Sequence, residues 1–360
     1  MTSKTAIIVL FMVSSVVYLN SLPNGFVYDD LPQVVQNPRI QDPSSLPDIF
    51  LTDVWSFSGR NASNYYRPVM YLIFTADYHL FGLNPLGFHL TSVLLHAGVT
   101  VMVFLITSFI LGSPSRAQGG TENDASPAAG GRGTAFFAAL LFATHPVHTE
   151  AVAWVSGVPE LSFTLFYLLS FYFYIREDRP GLSLVFFLLA ALSKETALTL
   201  PLVMAAYDRC FGKGLAFYSL LKRYLPYLAV AALYFAVRSY VVGGLAPVNV
   251  HAGLSAYEQF INVFPLFAQH LGKLLLPMNL NVTHTFHPIS SMLEWRGILS
   301  LFAAAAFMAA VWLLMRRSPT AAFGLLLVAV PLLPALYIPA LGEHAFAERY
   351  LYMPSVGFVI

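Results

Sequence analysis

The segment TAIIVLFMVSSVVYL, residues 5–19, is followed closely by NGFVYDD, residues 24–30. With its flanking residues, the apolar segment approaches the length that crosses a bilayer. Lys4 precedes it and no small-residue cleavage site follows, so we interpret it as a retained membrane anchor rather than a signal peptide. Asp29 and Asp30 therefore come just outside a membrane helix, where an acidic pair either caps a solvated helix end or forms part of a site.

The composition indicates an all-α polytopic membrane protein. Of 360 residues, 57% are hydrophobic and 10% are charged, so the solvent of most of the chain is lipid. Apolar stretches of near-spanning length predict about ten transmembrane helices. The last begins near Leu351 and runs to the final residue, so we expect the sequence to be part of a longer protein. The stretches are 5–20, 86–111, 134–150, 159–175, 181–193, 196–211, 224–242, 297–315, 320–340 and 351 onward.

Clusters of Lys and Arg set the predicted orientation, because cytoplasmic loops accumulate them. The clusters at 176–179, 209–213, 222–223 and 316–317 agree with one another only if residues 257–280 do not cross the membrane. The net charge of +1 then conceals a dipolar protein whose acidic groups gather outside, which argues against nucleic acid as a partner. The single cysteine, Cys210, excludes an internal disulfide.

This topology assigns two loops. Residues 21–85 form a long first extracytoplasmic loop whose aromatic content favours folded, interfacial helices over disorder. Residues 112–133, rich in Gly and small polar residues, are predicted to be a flexible cytoplasmic loop. The whole chain, 1–360, is one predicted transmembrane domain.

The segment HPVHTEAV, residues 145–152, concentrates ionisable groups at the outer end of the third predicted span. Pro146 removes a backbone donor and is expected to break the helix there, and ionisable groups at membrane depth mark sites or pathways. A divalent metal held by His145, His148 and Glu150 is one interpretation, since imidazole and carboxylate suit such ions. In the other, these side chains bind an anionic head group or hold the loop by hydrogen bonds.

Two further polar motifs interrupt apolar runs. Polar backbone is excluded from hydrocarbon unless it lines a cavity or protein, so Lys194 is expected to point into an outer cavity with Glu195 beside it. An ion pair of Lys194 with Glu195 or Glu150 is the alternative. Glu348 and Arg349 precede the last apolar run, and Arg349 is either an interfacial anchor or a ligand for phosphate, which its planar fork of donors fits.

Five motifs together resemble the transmembrane and tetratricopeptide-repeat O-mannosyltransferases and their prokaryotic relatives. Members of that family usually continue into tetratricopeptide repeats that are taken to present the acceptor. No repeat of that period is present in this sequence, which leaves the acceptor open. The motifs keep the family's order and are Phe26–Asp30, Tyr66–Pro68, His145–Val152, Leu192–Glu195 and Ala347–Tyr352.

The resemblance implies a C-type glycosyltransferase. Such an enzyme moves mannose or another hexose from a polyprenyl-phosphate sugar to a hydroxyl, here Ser or Thr of a protein. It would be an integral protein of the bacterial inner membrane or of the endoplasmic reticulum membrane, with its active site on the extracytoplasmic or lumenal face. The family's acidic motif maps onto Asp29, our candidate general base, and Asp30, which would orient the acceptor or tune its neighbour's charge. A leaving phosphate calls for fixed cations, and the candidates are Arg67, Lys194 and Arg349. Supporting roles are expected for His145, His148, Glu150, Glu195 and Glu348.

Expected partners are membrane lipid, the lipid-linked donor and a protein acceptor. Two other function classes stay open. A related glycosyltransferase with a lipid or glycan acceptor would share the fold, which does not distinguish acceptors. A transporter would also explain polar groups at membrane depth, and interrupted helices in two equivalent halves would favour it; we find no such internal repeat.

Overall fold

A computed structural model describes residues 2–59, 63–112, 129–212, 217–342 and 345–360. In these ranges the chain forms α-helices joined by short 3₁₀ or π turns, without a β-strand, which confirms the all-α class. In chain order the helices are α1 Ser3–Val17, α2 Leu46–Ile49, α3 Pro68–Phe81, α4 Pro85–Gly112, α5 Ala129–Thr144, α6 Thr149–Ala153, α7 Val158–Arg176, α8 Pro180–Ser193, α9 Leu200–Phe211, α10 Phe217–Val242, α11 Ala256–Ile261, α12 Val263–Leu275, α13 Trp295–Arg317, α14 Pro319–Leu332 and α15 Pro354–Val359.

Six helical segments of the described chain are long and apolar enough to cross a membrane. Each coincides with a predicted span, so the multi-pass character is confirmed. They are Ser3–Ser21, Pro85–Gly112, Val155–Arg176, Leu221–Val242, Trp295–Arg317 and Pro319–Leu336.

The other four predicted spans form helices that are shorter than these six. Helix α5 ends at Thr144 and not at residue 150, because His145 has extended backbone and Pro146 begins a 3₁₀ turn. Helices α8, α9 and α15 have 14, 12 and 6 residues. A run of apolar residues predicts a segment that is buried, but it does not give the length of the helix. Polar motifs at the ends of these runs make the helices shorter than the runs.

The structure tests one of two predictions about loops and covers the other only in part. Residues 257–280 fold as α11 and α12, which separate at Asn262, and neither is long enough to span; this agrees with a segment that does not cross. The predicted flexible loop 112–133 falls outside the described residues from 113 to 128, and its last five positions belong to α5 rather than to a loop.

Helix α4 lies against α1, α5 and α7 and contributes to the largest apolar core. Helix α7, with 19 residues, separates two polar ends by roughly 28 Å at the rise of an α-helix. At its far end Arg223 pairs with Glu177 at 2.9 Å and approaches Asp208 at 3.9 Å. The sequence assigns these residues to the cytoplasmic side, and the structure gathers them at one end.

Residues 31–59 and 63–66 fold onto the opposite end of α7. Val34, Ile40, Ile49 and Val54 form a second apolar cluster with residues of α3, α4 and the turn at 155–158. Short turns capped by Asn37 and Asp42 connect these anchors. The loop is therefore a packed layer over the helix ends.

Helices α14 and α15 cross at a pair of glycines. A Cβ on Gly324 would come within 2.7 Å of the carbonyl oxygen of Gly357, which is backbone and cannot move aside. We expect Gly324→Ala to lower the free energy of unfolding by about 1–3 kcal/mol through overpacking, seen as a lower Tm in detergent. Gly272→Ala in α12, where a Cβ meets open space, is the control and should not lower Tm. Equal Tm values for the two variants would contradict this packing.

Candidate active site

Three ion pairs hold together the polar end beneath the folded loop. Each joins segments far apart in sequence, and each carboxylate accepts from a cation that the sequence analysis singled out. The pairs are Arg67 with Glu195 at 3.1 Å, Lys194 with Glu160, and Arg349 with Glu150.

Lys194 and Glu160 form the most deeply buried pair, each with a side chain 5% exposed. Lys194 has extended backbone where α8 ends, and Glu160 lies in the first turn of α7. The lysine Nζ also lies 4.9 Å from the centre of the Tyr350 ring. The partner is neither Glu195 nor Glu150, the two that the sequence suggested, because the packing of α7 against α8 brings Glu160 closer.

Arg67 immediately precedes α3, and its guanidinium donates a hydrogen bond to the carboxylate of Glu195. Burial raises the pKa of Glu195, but the positive charges of Arg67 and Lys194 outweigh burial and hold it at about 2. Glu195 is therefore ionised at neutral pH, and Arg67 is held as its counter-ion. One Nε–H of Arg67 and one carboxylate oxygen of Glu195 are buried without a hydrogen-bond partner.

Arg349 binds Glu150 twice, once through its guanidinium and once through its backbone N–H at 2.8 Å. Burial raises the pKa of Glu150, and Arg349 opposes that shift. The guanidinium lies 5.3 Å from the Trp154 ring and 5.1 Å from the Tyr350 ring. The Arg349 side chain is 22% exposed, and it pairs with Glu150 beside these two aromatic rings.

The two adjacent aspartates have different environments. Asp30 is fully buried, and its carboxylate accepts from the Ser156 backbone N–H at 2.8 Å, the Ser156 hydroxyl at 2.6 Å and the Val27 N–H at 3.0 Å. Burial raises the pKa of Asp30, and the bonds from Ser156 and Val27 oppose this. Asp29 is half-buried and lines a cavity. Asp30 therefore fastens the loop to the turn at 155–157, and Asp29 faces the cavity.

The backbone of Tyr28 has a φ of +49°, a left-handed conformation that residues other than glycine rarely adopt. Left-handed backbone at a bulky residue costs on the order of 1–3 kcal/mol and persists where the surroundings fix it. The bonds of Asp30 to Ser156 and to Val27 supply that fixation on either side. The turn directs Asp29 and Asp30 to different neighbours despite their adjacency.

Two adjoining cavities meet at a shared wall of Tyr65, Arg67 and Tyr350. The smaller, of about 110 Å³, is lined by Asp29, Arg349 and other polar groups. We call it the reaction cavity. The larger, of about 370 Å³, which we call the long cavity, is lined by several charged residues within a mostly apolar lining. Its lining includes Lys194, Glu195, Arg238, Leu198, Phe235, Leu245, Pro334 and Leu341.

A third cavity, of about 230 Å³, shares Trp154 with the reaction cavity and is lined by Tyr28 and Glu150 among mostly apolar groups. Glu348, a predicted supporting residue, also lines it. The Glu348 carboxylate accepts from His284 at 2.6 Å and from the Asn281 N–H at 3.1 Å. Glu348 therefore ties the segment after α12 to this face.

The histidines of the HPVHTEAV segment have separate hydrogen-bond partners. The His145 Nε2–H donates to the Leu274 carbonyl at 3.2 Å, and His148 Nε2 bonds with the Ser355 hydroxyl at 2.8 Å. Glu150 is bound by Arg349 instead. Throughout the described ranges, no group of three His, Cys, Asp or Glu side chains is arranged to hold a metal ion. The geometry favours the hydrogen-bonding interpretation of this segment.

Curated proteins similar to this chain are O-mannosyl-transferases by name. The protein O-mannosyl-transferase F38B6.6 of Caenorhabditis elegans is 29% identical over 98% of this chain and 50% of its own length. TMTC3 of Homo sapiens is 28% identical over 95% of this chain and 40% of its length, and human TMTC2 is 36% identical over 44% and 17%. The chain is therefore similar to the protein O-mannosyl-transferases, as the resemblance of its motifs implied.

This chain spans half or less of the length of these relatives. No family model matches it, and no solved structure is similar to it. The family motifs named from the sequence are the segments that the fold gathers: four of the five contribute a side chain to the three ion pairs, and the first contributes Asp29 and Asp30.

Three residues of this candidate site were not predicted from the sequence: Glu160, Ser156 and Arg238. Glu160 and Arg238 lie inside apolar runs that were predicted as spans. An ionisable residue within such a run was the signal that could have identified both. Ser156 gave no signal, because its role is visible only once the loop is folded onto the turn.

The buried Lys194–Glu160 pair gives a stability prediction. Glu160→Gln leaves the ammonium buried without its counter-charge, and we expect a loss of about 3–5 kcal/mol in the free energy of unfolding. Adding Lys194→Met should recover most of that loss. The control is Arg176→Gln, which breaks an exposed pair with Asp178 worth about 0–1 kcal/mol. Tm values for the four proteins in detergent test this, and a Glu160→Gln variant as stable as Arg176→Gln would contradict it.

Proposed function

We propose that this chain is the membrane domain of a glycosyltransferase that moves a hexose, in the first place mannose, from a polyprenyl-phosphate donor to a Ser or Thr hydroxyl of a protein. One observation carries the proposal: a carboxylate-lined cavity and a cation-bearing, mostly apolar cavity share the wall of Tyr65, Arg67 and Tyr350. The names of the relatives support the reaction class and a protein acceptor.

The donor has two chemically different parts, and the long cavity suits both. Apolar side chains such as Leu198 and Phe235 line most of it and would contact the first isoprene units. Arg67 and Lys194 are among its lining residues, and they would attract a phosphate in a medium of low dielectric. The sugar would then project past the shared wall into the reaction cavity.

In the proposed step, the oxygen of an acceptor hydroxyl attacks the anomeric carbon of the sugar. The proton of that hydroxyl passes to the carboxylate of Asp29. The new C–O bond forms while the bond from that carbon to the phosphate oxygen breaks, and the polyprenyl phosphate leaves with the electron pair. A positioned carboxylate supplies general base catalysis. Fixed cations stabilise the charge that develops on the phosphate. Arg349 lines the reaction cavity, so it could stabilise the negative charge on the phosphate from the side that faces the sugar.

The acceptor would enter from the third cavity. That cavity meets the reaction cavity at Trp154 and is lined by Tyr28, the neighbour of Asp29. A polypeptide segment bound there would bring its hydroxyl to Asp29 from the side away from the donor. We assign this face to the extracytoplasmic or lumenal side, because the basic clusters of the sequence collect at the other end.

The functional test is Asp29→Asn, which keeps the shape of the side chain and removes the base. With the chain purified in detergent, mannose transfer from a short polyprenyl-phosphate mannose to a library of Ser- and Thr-containing peptides should fall about 10²- to 10⁴-fold. Donor affinity should stay within twofold of the parent's, because Asp29 does not line the long cavity.

Asp48→Asn is the matched control, since Asp48 is exposed on the same loop and lines neither cavity. It should transfer at the parent rate. An Asp29→Asn variant that folds normally and also transfers at the parent rate would remove Asp29 from the mechanism.

A further inference from the structure

Arg238 is a buried guanidinium on α10, four-fifths of the way along a membrane-spanning helix, and it lines the long cavity. Its residue is 6% exposed. An arginine at such a position is costly and is retained where it has a specific partner or a function. The groups around Arg238, or a ligand that binds there, must therefore stabilise the positive charge of its guanidinium.

The hydrogen bonds of Arg238 go to neutral groups. Its two terminal nitrogens donate to the backbone carbonyls of Asn64 at 2.8 Å and Leu245 at 3.1 Å, and Nε is buried with no hydrogen-bond partner. These carbonyls orient the guanidinium without cancelling its charge. The Asn64 side chain is itself fixed by the Val248 backbone at 2.6 and 3.0 Å.

The other cations of the long cavity are already neutralised. Arg67 is paired with Glu195, and Lys194 with Glu160. Among the described residues lining this cavity, Arg238 is thus the cation that forms no ion pair with a carboxylate. An anion entering the cavity gains most from the charge that no carboxylate yet compensates, since breaking a buried pair costs about 3–5 kcal/mol.

We propose that Arg238 is the main ligand of the phosphate group of the lipid-linked donor, with Arg67 and Lys194 as paired, secondary cations. The phosphate would accept from the Nε–H and the remaining terminal N–H groups, while the apolar lining contacts the polyprenyl chain. The inference rests on the proposed function for the identity of the donor. It differs from the sequence-based assignment, in which Arg67, Lys194 and Arg349 carry the phosphate.

The test measures binding without turnover. Polyprenyl phosphate and the matching polyprenol are bound to the purified chain in detergent, and the ratio of their affinities reports recognition of the phosphate alone. We expect Arg238→Gln to lower this preference about 10- to 100-fold, the range for a charged hydrogen bond, with polyprenol binding unchanged. Arg296→Gln, at an exposed position of α13, is the control and should keep the parent preference.

The outcomes separate the two proposals. A parent chain that shows no preference for polyprenyl phosphate over polyprenol contradicts the proposed function. A parent preference that survives in Arg238→Gln overturns the role of Arg238 alone, as does equal weakening of both ligands, which a purely structural arginine would cause. If Arg238→Gln does not fold, Arg238→Lys decides: it keeps a cation but loses the Nε–H, and an unchanged preference overturns the inference. Equal competition by phosphatidylglycerol overturns the assignment to the donor.

Discussion

The buried and partly buried ion pairs are the interactions on which the arrangement of this site depends. Arg67 with Glu195 and Arg349 with Glu150 join segments 128 and 199 residues apart. In a chain with only 10% charged residues, such pairs at helix ends give orientation that apolar packing does not, because apolar contacts are non-directional. Each pair fixes the end of one segment against another, and the cavities are the spaces left between those ends.

Pairing also determines which charges a ligand encounters. A buried pair has little net field outside its own atoms, and desolvation offsets much of its internal attraction. Arg67 and Lys194 therefore position the wall of the long cavity, but they contribute little net positive potential inside it. Arg238, held by the carbonyls of Asn64 and Leu245, gives the same cavity its uncompensated charge, so that scaffold and ligand attraction belong to different cations.

The sequence predicted the helices better than the contacts between them. Apolar length placed six spans correctly, since burial in lipid is a property of a continuous segment. It extended α5 past Thr144, where His145 and Pro146 break the helix. It named Lys194 as buried but not its partner Glu160, because an ion pair between helices is set by tertiary packing. Glu160 lies near the start of the span Val155–Arg176, and its place in an apolar run gave no indication of the partner it would have.

The acidic pair shows the same limit at shorter range. In sequence, Asp29 and Asp30 are equivalent carboxylates, and the family resemblance covers both. The left-handed backbone of Tyr28 and the hydroxyl of Ser156, 126 residues away, separate them. A base must stay accessible to the acceptor, whereas the carboxylate beside it must be immobile for the turn to hold its strain. Full burial with three donors fits only the second task, so the proposed division of roles follows from where the hydrogen bonds go and not from either side chain's chemistry.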